Sequence, residues 1–379
     1  MSEKESCHSI CRWTFHSGKG GFVPSDSIPQ WSSDKLDSKG VIRIVKEKIA
    51  PRIPEQVTLG LEFHYDFEVD ESNAHEVEDA LIDSGIYLAV ITPGAHKYFA
   101  YGGLSSLDPE ERKKAKEFLI RSIDFSYEYL RKAWHPNQEK HPTFVIWNGS
   151  FGYDIASAGI KNMYEILMEE MAEVCEYEQK KGGKLFIAIE PKPNEGHPAM
   201  LLPTVPSAIL FWKKLHEEYG ISLSRKGVNK EIGHSEMIGL DYVHDTVEEI
   251  ENGMLVHMHI NSQGLSDGIT LGGPGKFDID MGARITASNI AMAGLARMAG
   301  YERWKGHDMQ VRPYDNEEQA IERIIRSILS WEALRLAEKE LDYDLLIRYL
   351  TERDTAKAED LIRDVIILAH KNFKRLYEG

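Results

Sequence analysis

Cysteine is scarce in this 379-residue chain, with only Cys7, Cys11 and Cys175 present. So sparse and odd a count excludes a disulfide framework and fits reduced thiols. Cys7-His8-x-x-Cys11 lacks a second half, so it is a weak zinc motif. No apolar run approaches the roughly 20 residues needed to span a bilayer, and no membrane association is expected. The opening Met1-Ser-Glu-Lys-Glu-Ser has no apolar stretch and does not read as a secretory signal, so a cytoplasmic protein is expected. Basic blocks are missing too, and the formal net charge is −16. Phosphate backbones would be repelled, which argues against a nucleic-acid partner. Bound divalent cations can neutralise part of the acidic excess. No G-x-G-x-x-G turn follows the first strand, and Gly18-Lys-Gly-Gly21 lacks the Walker spacing. Short repeats and low-complexity stretches are also lacking.

What the chain does carry is an alternation. β-rich apolar runs recur at residues 11–15, 57–63, 86–91, 143–147 and 185–189, more weakly at 227–232, then at 255–260 and, with little apolar support, 303–311. Amphipathic segments lie between them at 73–84, 109–134, 162–181, 206–219, 236–252 and 288–299. Asp108-Pro109 opens one with a capping side chain and a proline at the first helical position. Alternating strands and helices imply a parallel sheet with crossovers. About eight such units predict an α/β fold, a (β/α)8 TIM barrel, over residues 1–313. From 314 to 379 the strand signal disappears. Segments 317–341, 343–352 and 355–375 predict a C-terminal helical extension. It has too little core to stand alone, so it is expected to pack on the barrel or clasp a second subunit, giving a homo-oligomer, a dimer or tetramer.

Barrel sites lie at the C-terminal ends of the strands, and here those ends are rich in metal-ligand side chains. The second run ends in His64 and Asp66, the fourth in Trp147-Asn148, the fifth in Glu190 and Lys192, and the sixth in Glu231 and His234. The seventh gives His257, His259 and Asn261, followed by Asp278-x-Asp280, and the eighth gives His307 and Asp308. Lys192 stands between two prolines that keep the exit from its strand extended. Asp278 and Asp280 can share one face of an extended backbone. Two carboxylates about 4 Å apart repel by roughly 4 kcal/mol at an effective dielectric near 20, so such a pair calls for a cation or a proton. An isolated Asp-x-Asp is nevertheless ordinarily a solvated surface pair. Glu231-x-x-His234 fits one helical turn and His257-x-His259 one strand face, and each alone is compatible with a structural role. Glu190 can simply pair with Lys192. The set gains meaning because all its members lie at one end of one inferred barrel.

These segments also resemble a known family. Glu190-Pro-Lys192-Pro-Asn-Glu195 resembles the E-P-K-P-x-E segment of xylose isomerases, and Val228-Asn229-Lys-Glu231-Ile-Gly-His234-Ser-Glu236-Met resembles their V-N-x-E-x-G-H-E-x-M. Asp278-Ile-Asp280 is similar to their D-x-D, Phe63-His64 to their F-H-D, and Val145-Ile-Trp147-Asn-Gly149 to their W-G-G. The similarity runs in order from about residue 10 to 313 and into the helical tail. The resemblance implies a metal-dependent aldose–ketose isomerase acting by hydride shift on a small-molecule sugar, with two divalent cations, Mn²⁺, Co²⁺ or Mg²⁺. It implies Glu190, Glu231 and Asp308 as ligands of the first cation, Glu231 as a bridge, and His234, Asp278 and Asp280 as ligands of the second. Lys192 would polarise the carbonyl, His64 would assist ring opening, Trp147 would wall the pocket and Asn229 would contact the sugar.

Several departures from the family pattern matter. His259 stands where the family has an aspartate ligand. It removes one negative charge, which predicts weaker preference for hard Mg²⁺ against Mn²⁺ or Co²⁺. A histidine there is similar to L-rhamnose isomerases. Phe67 replaces the aspartate that orients the strand-two histidine, leaving Asp66 or Glu68 to do so. Gly94 stands in place of a pocket phenylalanine. The first strand lacks the family's pocket tryptophan, Trp13 lying earlier. Two missing aromatics predict a wider pocket and a substrate other than xylose. The rival readings are a sugar epimerase or rhamnose-type isomerase on the same barrel, a metal- and sugar-binding barrel without activity, and, against the charge, a barrel endonuclease.

Overall fold

The computed structural model describes residues 6–15, 36–95, 98–99, 101–147, 157–193, 200–263, 280–312 and 315–379. Its strands are β1 Ser6–Cys11, β2 Val57–Tyr65, β3 Tyr87–Pro93, β4 Thr143–Ile146, β5 Phe186–Ile189, β6 Lys226–Glu231, β7 Leu255–His259 and β8 Lys305–His307. Each pairs in parallel with its neighbour in sequence, and β8 returns to β1 through His8↔Lys305 and Ile10↔His307, closing the barrel. The helices are α1 Ser38–Ile44, α2 Ala74–Ser84, α3 Pro109–Glu128, α4 Ser157–Lys181, α5 Val205–Tyr219, α6 Ile232–Met237, α7 Tyr242–Glu251, α8 Ala287–Met298, α9 Glu317–Glu338, α10 Tyr343–Thr351 and α11 Thr355–Glu378. The chain is therefore a TIM barrel followed by C-terminal helices. None of the described helices is long and apolar enough to cross a membrane.

Hydrophobic burial is arranged in two layers. Ile187 and Ile189 of β5 join the large cluster between sheet and helices, while Phe186 and Ala188 meet Val90, Val145 and Val256 in a separate one. Residues of β3, β5 and β7 can meet only across the lumen, so this second cluster fills the barrel interior. α9 lays Ile321, Ile324, Ile325 and Ile328 into the same core as the barrel helices. α11 packs on α9 and α8, and α10 on α11.

Three local differences from the sequence reading have physical causes. The first strand is Ser6–Cys11, not 11–15, and residues 12–15 form a short 3-10 turn. β1 is polar because both its faces carry hydrogen bonds: His8 reaches Glu332 on α9, whereas Ser9 and Cys11 reach Glu62 on β2. α1, with the short turns that extend it to Arg52, lies in a stretch given no helix from the sequence. The single segment expected at 236–252 is instead α6 and α7, separated at Gly239, whose φ of 71° suits glycine, and restarted by Asp241, whose side chain accepts from the Val243 and His244 amides.

Candidate active site

Strands β5 to β8 each deliver one polar side chain to the same point at their C-terminal ends. Glu190 follows β5, Glu231 ends β6, His259 ends β7 and Asp308 follows β8. The register pairs Glu231 with His259, which sets those two side by side. His259 Nδ1 lies 3.2 Å from Glu231 Oε2, 3.4 Å from Asp308 Oδ2 and 3.6 Å from Glu190 Oε2. Burial, with the Glu190 and Asp308 charges and against the His259 hydrogen bond, pushes the Glu231 carboxyl up to about 8. Burial likewise raises Glu190 and Asp308. His259 is held well above its ordinary value although burial opposes it, because Glu62 and Glu231 face it. The cluster thus needs positive charge at its centre. A proton on His259 supplies one unit, whereas a divalent cation supplies two. Three carboxylates and an imidazole form a donor set that suits Mn²⁺, Co²⁺ or Mg²⁺.

Glu231 turns its other oxygen away from this point. Its Oε1 is 3.1 Å from His234 Nε2 and accepts from Asn261 Nδ2 at 2.8 Å. His234 Nδ1 donates to the Pro191 carbonyl at 2.9 Å, which orients the ring and makes Nε2 the nitrogen that can offer a lone pair to a cation. Asp280 Oδ1 accepts from the same Asn261 amide at 3.3 Å. Asp278 lies outside the described residues. Glu231 therefore carries one oxygen in each of two adjacent groups, as a residue bridging two cations must. Lys192 is buried, and its Nζ is 5.2 Å from the centre of the Trp147 ring. Asn229 is fully buried and donates to Glu190 Oε2 at 2.6 Å.

The family model for xylose isomerase-like TIM barrels matches residues 56–331. The chain belongs to this family. Among solved structures it is similar to a putative xylose isomerase from Rhodospirillum rubrum, with TM-score 0.58, 12% identity and 87% of this chain and 99% of that one covered. It is similar to the E. coli 3-keto-D-glucoside 4-epimerase, with TM-score 0.53, 12% identity and coverage of 85% and 98%. The D-psicose 3-epimerase of Clostridium cellulolyticum gives TM-score 0.52, 14% identity and coverage of 98% and 99%. At these identities the likenesses concern the fold alone.

In this xylose isomerase-like barrel the aromatic surroundings differ from the sequence expectation. Trp13, which sequence order left outside the site, donates from Nε1 to Asp308 Oδ1 at 2.7 Å and packs 4.3 Å from the His64 ring. Phe67 stacks on the other part of this assembly, 5.4 Å from His64 at an interplanar angle of 24°. Its ring occupies the space above Gly94. Aromatics from other sequence positions, Trp13 and Phe67, thus line the surroundings of His64, and Trp13 is brought into the site after all. Of the two carboxylates proposed to orient His64, Glu68 is the neighbour: its Oε2 accepts from the His64 backbone N–H at 2.8 Å and lies 3.4 Å from Nδ1. Asp66 instead accepts from the Tyr98 hydroxyl.

Sequence reasoning missed Glu62. It sits fully buried on β2, two residues before His64, and accepts from Ser9 Oγ and Cys11 Sγ. Its carboxylate also meets the Nε2 atoms of His257 and His259. A charge inside the apolar run 57–63, on the same strand face as a candidate site histidine, was the signal that could have found it.

Proposed function

We propose that this protein is a divalent-metal-dependent sugar isomerase that interconverts an aldose and a ketose. The observation that carries the reading is the two-sided placement of Glu231, with Oε2 beside His259, Asp308 and Glu190 and Oε1 beside His234. Glu190, Glu231, His259 and Asp308 would hold the first cation, and Glu231, His234, Asp280 and Asp278 the second. Bound there, the cations would supply Lewis-acid polarisation of the sugar's oxygens.

The chain's own residues have separate tasks. Lys192, held against the Trp147 ring, would donate a hydrogen bond to the carbonyl oxygen as charge develops on it. Trp147 would offer its apolar face to the sugar's C–H groups and keep water from the reacting carbons. His64, braced by Trp13, Phe67 and Glu68, would exchange a proton at the ring oxygen during opening, with Nδ1 toward Glu68 and Nε2 toward the sugar.

A second reading, a sugar epimerase, draws support from the first group alone. It takes one ligand from each of four consecutive strands and is complete without the second group. A single cation among carboxylates would suit proton removal next to a carbonyl. Both readings are tested by a sugar panel with metal-stripped protein, Mn²⁺, Co²⁺ or Mg²⁺ added back, and products identified by NMR in D₂O. Aldose–ketose conversion without deuterium at C1 or C2 supports the isomerase. An inverted carbon carrying deuterium supports the epimerase. Tight cation binding with no turnover of any pentose or hexose would leave a binding barrel without activity.

A further inference from the structure

Glu62 has a full complement of donors. Oε1 receives Ser9 Oγ at 2.5 Å and faces His257 Nε2 at 3.1 Å. Oε2 receives Cys11 Sγ at 3.5 Å and faces His259 Nε2 at 3.0 Å. A carboxylate only accepts, so each imidazole turns an Nε2–H toward it. For His259 this commits one hydrogen to Nε2, so the nitrogen left to give up its proton and offer a lone pair to a cation is Nδ1, which is surrounded by Glu190, Glu231 and Asp308. The arrangement is built into the strands. Gly306 pairs with His259 in register, and a β-carbon there would collide with Glu62 Oε1 and stand 2.6 Å from His259 Cδ2. Glycine at that place lets the carboxylate and the imidazole meet inside the barrel.

We propose that Glu62 is a positioning residue that makes His259 an Nδ1 ligand of the first cation and returns to the site the negative charge an imidazole lacks. The inference rests on the metal-site reading above and explains how this chain tolerates histidine at that position. A carboxylate behind a ligating imidazole fixes the ring and strengthens its donor nitrogen. Cys11, Glu62 and His259 also lie close enough together to suggest a separate cation site. The hydrogen bonds argue otherwise, since the thiol and Nε2 both spend their hydrogens on Glu62 Oε2. His257 provides an internal comparison, because it contacts the same carboxylate through the other oxygen without reaching the cation cluster.

The test is Mn²⁺ titration of metal-stripped protein, followed by calorimetry and by the EPR signal of unbound Mn²⁺, for wild type, Glu62→Gln and His257→Gln. Glu62→Gln is expected to weaken the first cation about 10- to 100-fold, with the far-UV spectrum of the metal-stripped protein unchanged, and His257→Gln to stay near wild type. Equal losses in both variants, or wild-type affinity in Glu62→Gln, overturn the inference. No Mn²⁺ binding by the wild type overturns the metal-site reading itself, and the inference with it. If Glu62→Gln does not fold, ¹⁵N-histidine spectra of Zn²⁺-loaded wild type decide without a variant. Coordination of His259 through Nδ1 with a proton on Nε2 supports the role, and coordination through Nε2 overturns it.

Discussion

The ring of Phe67 lies where a side chain on residue 94 would go: a β-carbon on Gly94 would stand 2.6 Å from Phe67 Cε1. The two positions have exchanged bulk, and the aromatic that faces His64 comes from the β2 loop instead of β3. Gly94→Ala is expected to push the ring off His64, costing about 1–3 kcal/mol, toward the lower end because Phe67 is 38% exposed and can yield. Under the proposed function, KM for the preferred sugar should rise more than kcat falls. Phe67→Ala with Gly94→Phe should lose much less than the sum of those two single variants. Additive losses in the double variant, measured as a double-mutant cycle on KM and thermal stability, would show that the positions are not coupled.

How much of this was legible in sequence follows from which partners are local. Glu190, Lys192, Glu231 and His234 sit in continuous motifs at strand exits, so both their place and their neighbours could be read from the chain. Trp13 could not be placed because its partners, Asp308 and His64, come from β8 and β2, and only barrel closure brings them to β1. Glu62 was hidden for the same reason: its donors come from β1 and β7. β1 was placed five residues late and β8 had little apolar support because His8, Ser9 and His307 spend their positions on hydrogen bonds instead of apolar packing. The exchange between Phe67 and Gly94 was visible as two separate departures, but their compensation required the coordinates.

Lys192 offers a test that separates catalysis from metal binding. Its charge opposes the rise in both the Glu190 and Asp308 carboxyls, so it stands near them. Lys192→Met is expected to lower kcat by about 10²–10³-fold, the scale of losing one donor to a developing oxyanion, with cation content by mass spectrometry unchanged. Loss of cations together with activity would make its role structural.

The bridging role of Glu231 makes a prediction about stoichiometry. Glu231→Gln removes charge from both groups and should weaken both cations, whereas Asp280→Asn should weaken only the second. Saturating metal stabilises the wild type by about 4 kcal/mol when present at a thousand times Kd, so melting with and without chelator gives an independent reading. Equal cation counts in the two variants would remove Glu231 as a bridge.

The sequence alone predicts that His259→Asp moves the site toward Mg²⁺. With Glu62 in place, a buried carboxylate at 259 would face another carboxylate where Nε2–H now donates at 3.0 Å. Leaving that charge unpaired costs about 3–5 kcal/mol. His259→Asp by itself should therefore destabilise the metal-free barrel, and His259→Asp with Glu62→Gln should fold better and show the Mg²⁺ preference. Stability of the single variant equal to wild type would mean that Glu62 does not sense residue 259.

One contribution to stability should be lost in acid through a buried hydrogen-bonded chain outside the lumen. Ser327 Oγ lies 2.7 Å from His307 Nδ1, His307 Nε2 lies 2.8 Å from His8 Nδ1, and His8 Nε2 lies 3.0 Å from Glu332 Oε1. Because Glu332 accepts, His8 carries its hydrogen on Nε2, His307 then donates to His8 Nδ1, and Ser327 donates to His307. Neither ring can take a second proton without breaking a bond. Burial lowers the pKa of His8 although Glu332 opposes it, and burial with neighbouring His8 lowers that of His307 well below its usual value. Unfolded histidine titrates near 6.5. Both folded values lie below that, so their stabilisation is fully present above about pH 6.5 and is lost as pH falls further, each adding a slope of up to about 1.4 kcal/mol per pH unit. Glu332, held low by His8 and Arg335 despite burial, adds its own loss only below about pH 4.5, outside this window. His257 and His141 are also lowered, whereas burial raises Glu231 and Glu249 to about 8 and facing carboxylates raise His259, which oppose this slope in the same window, so the informative quantity is a difference between variants. Urea unfolding of metal-stripped protein between about pH 7.5 and 5.5 should show His8→Gln reducing the acid slope by about one proton's worth. An unchanged slope would mean that folded His8 accepts its proton in place.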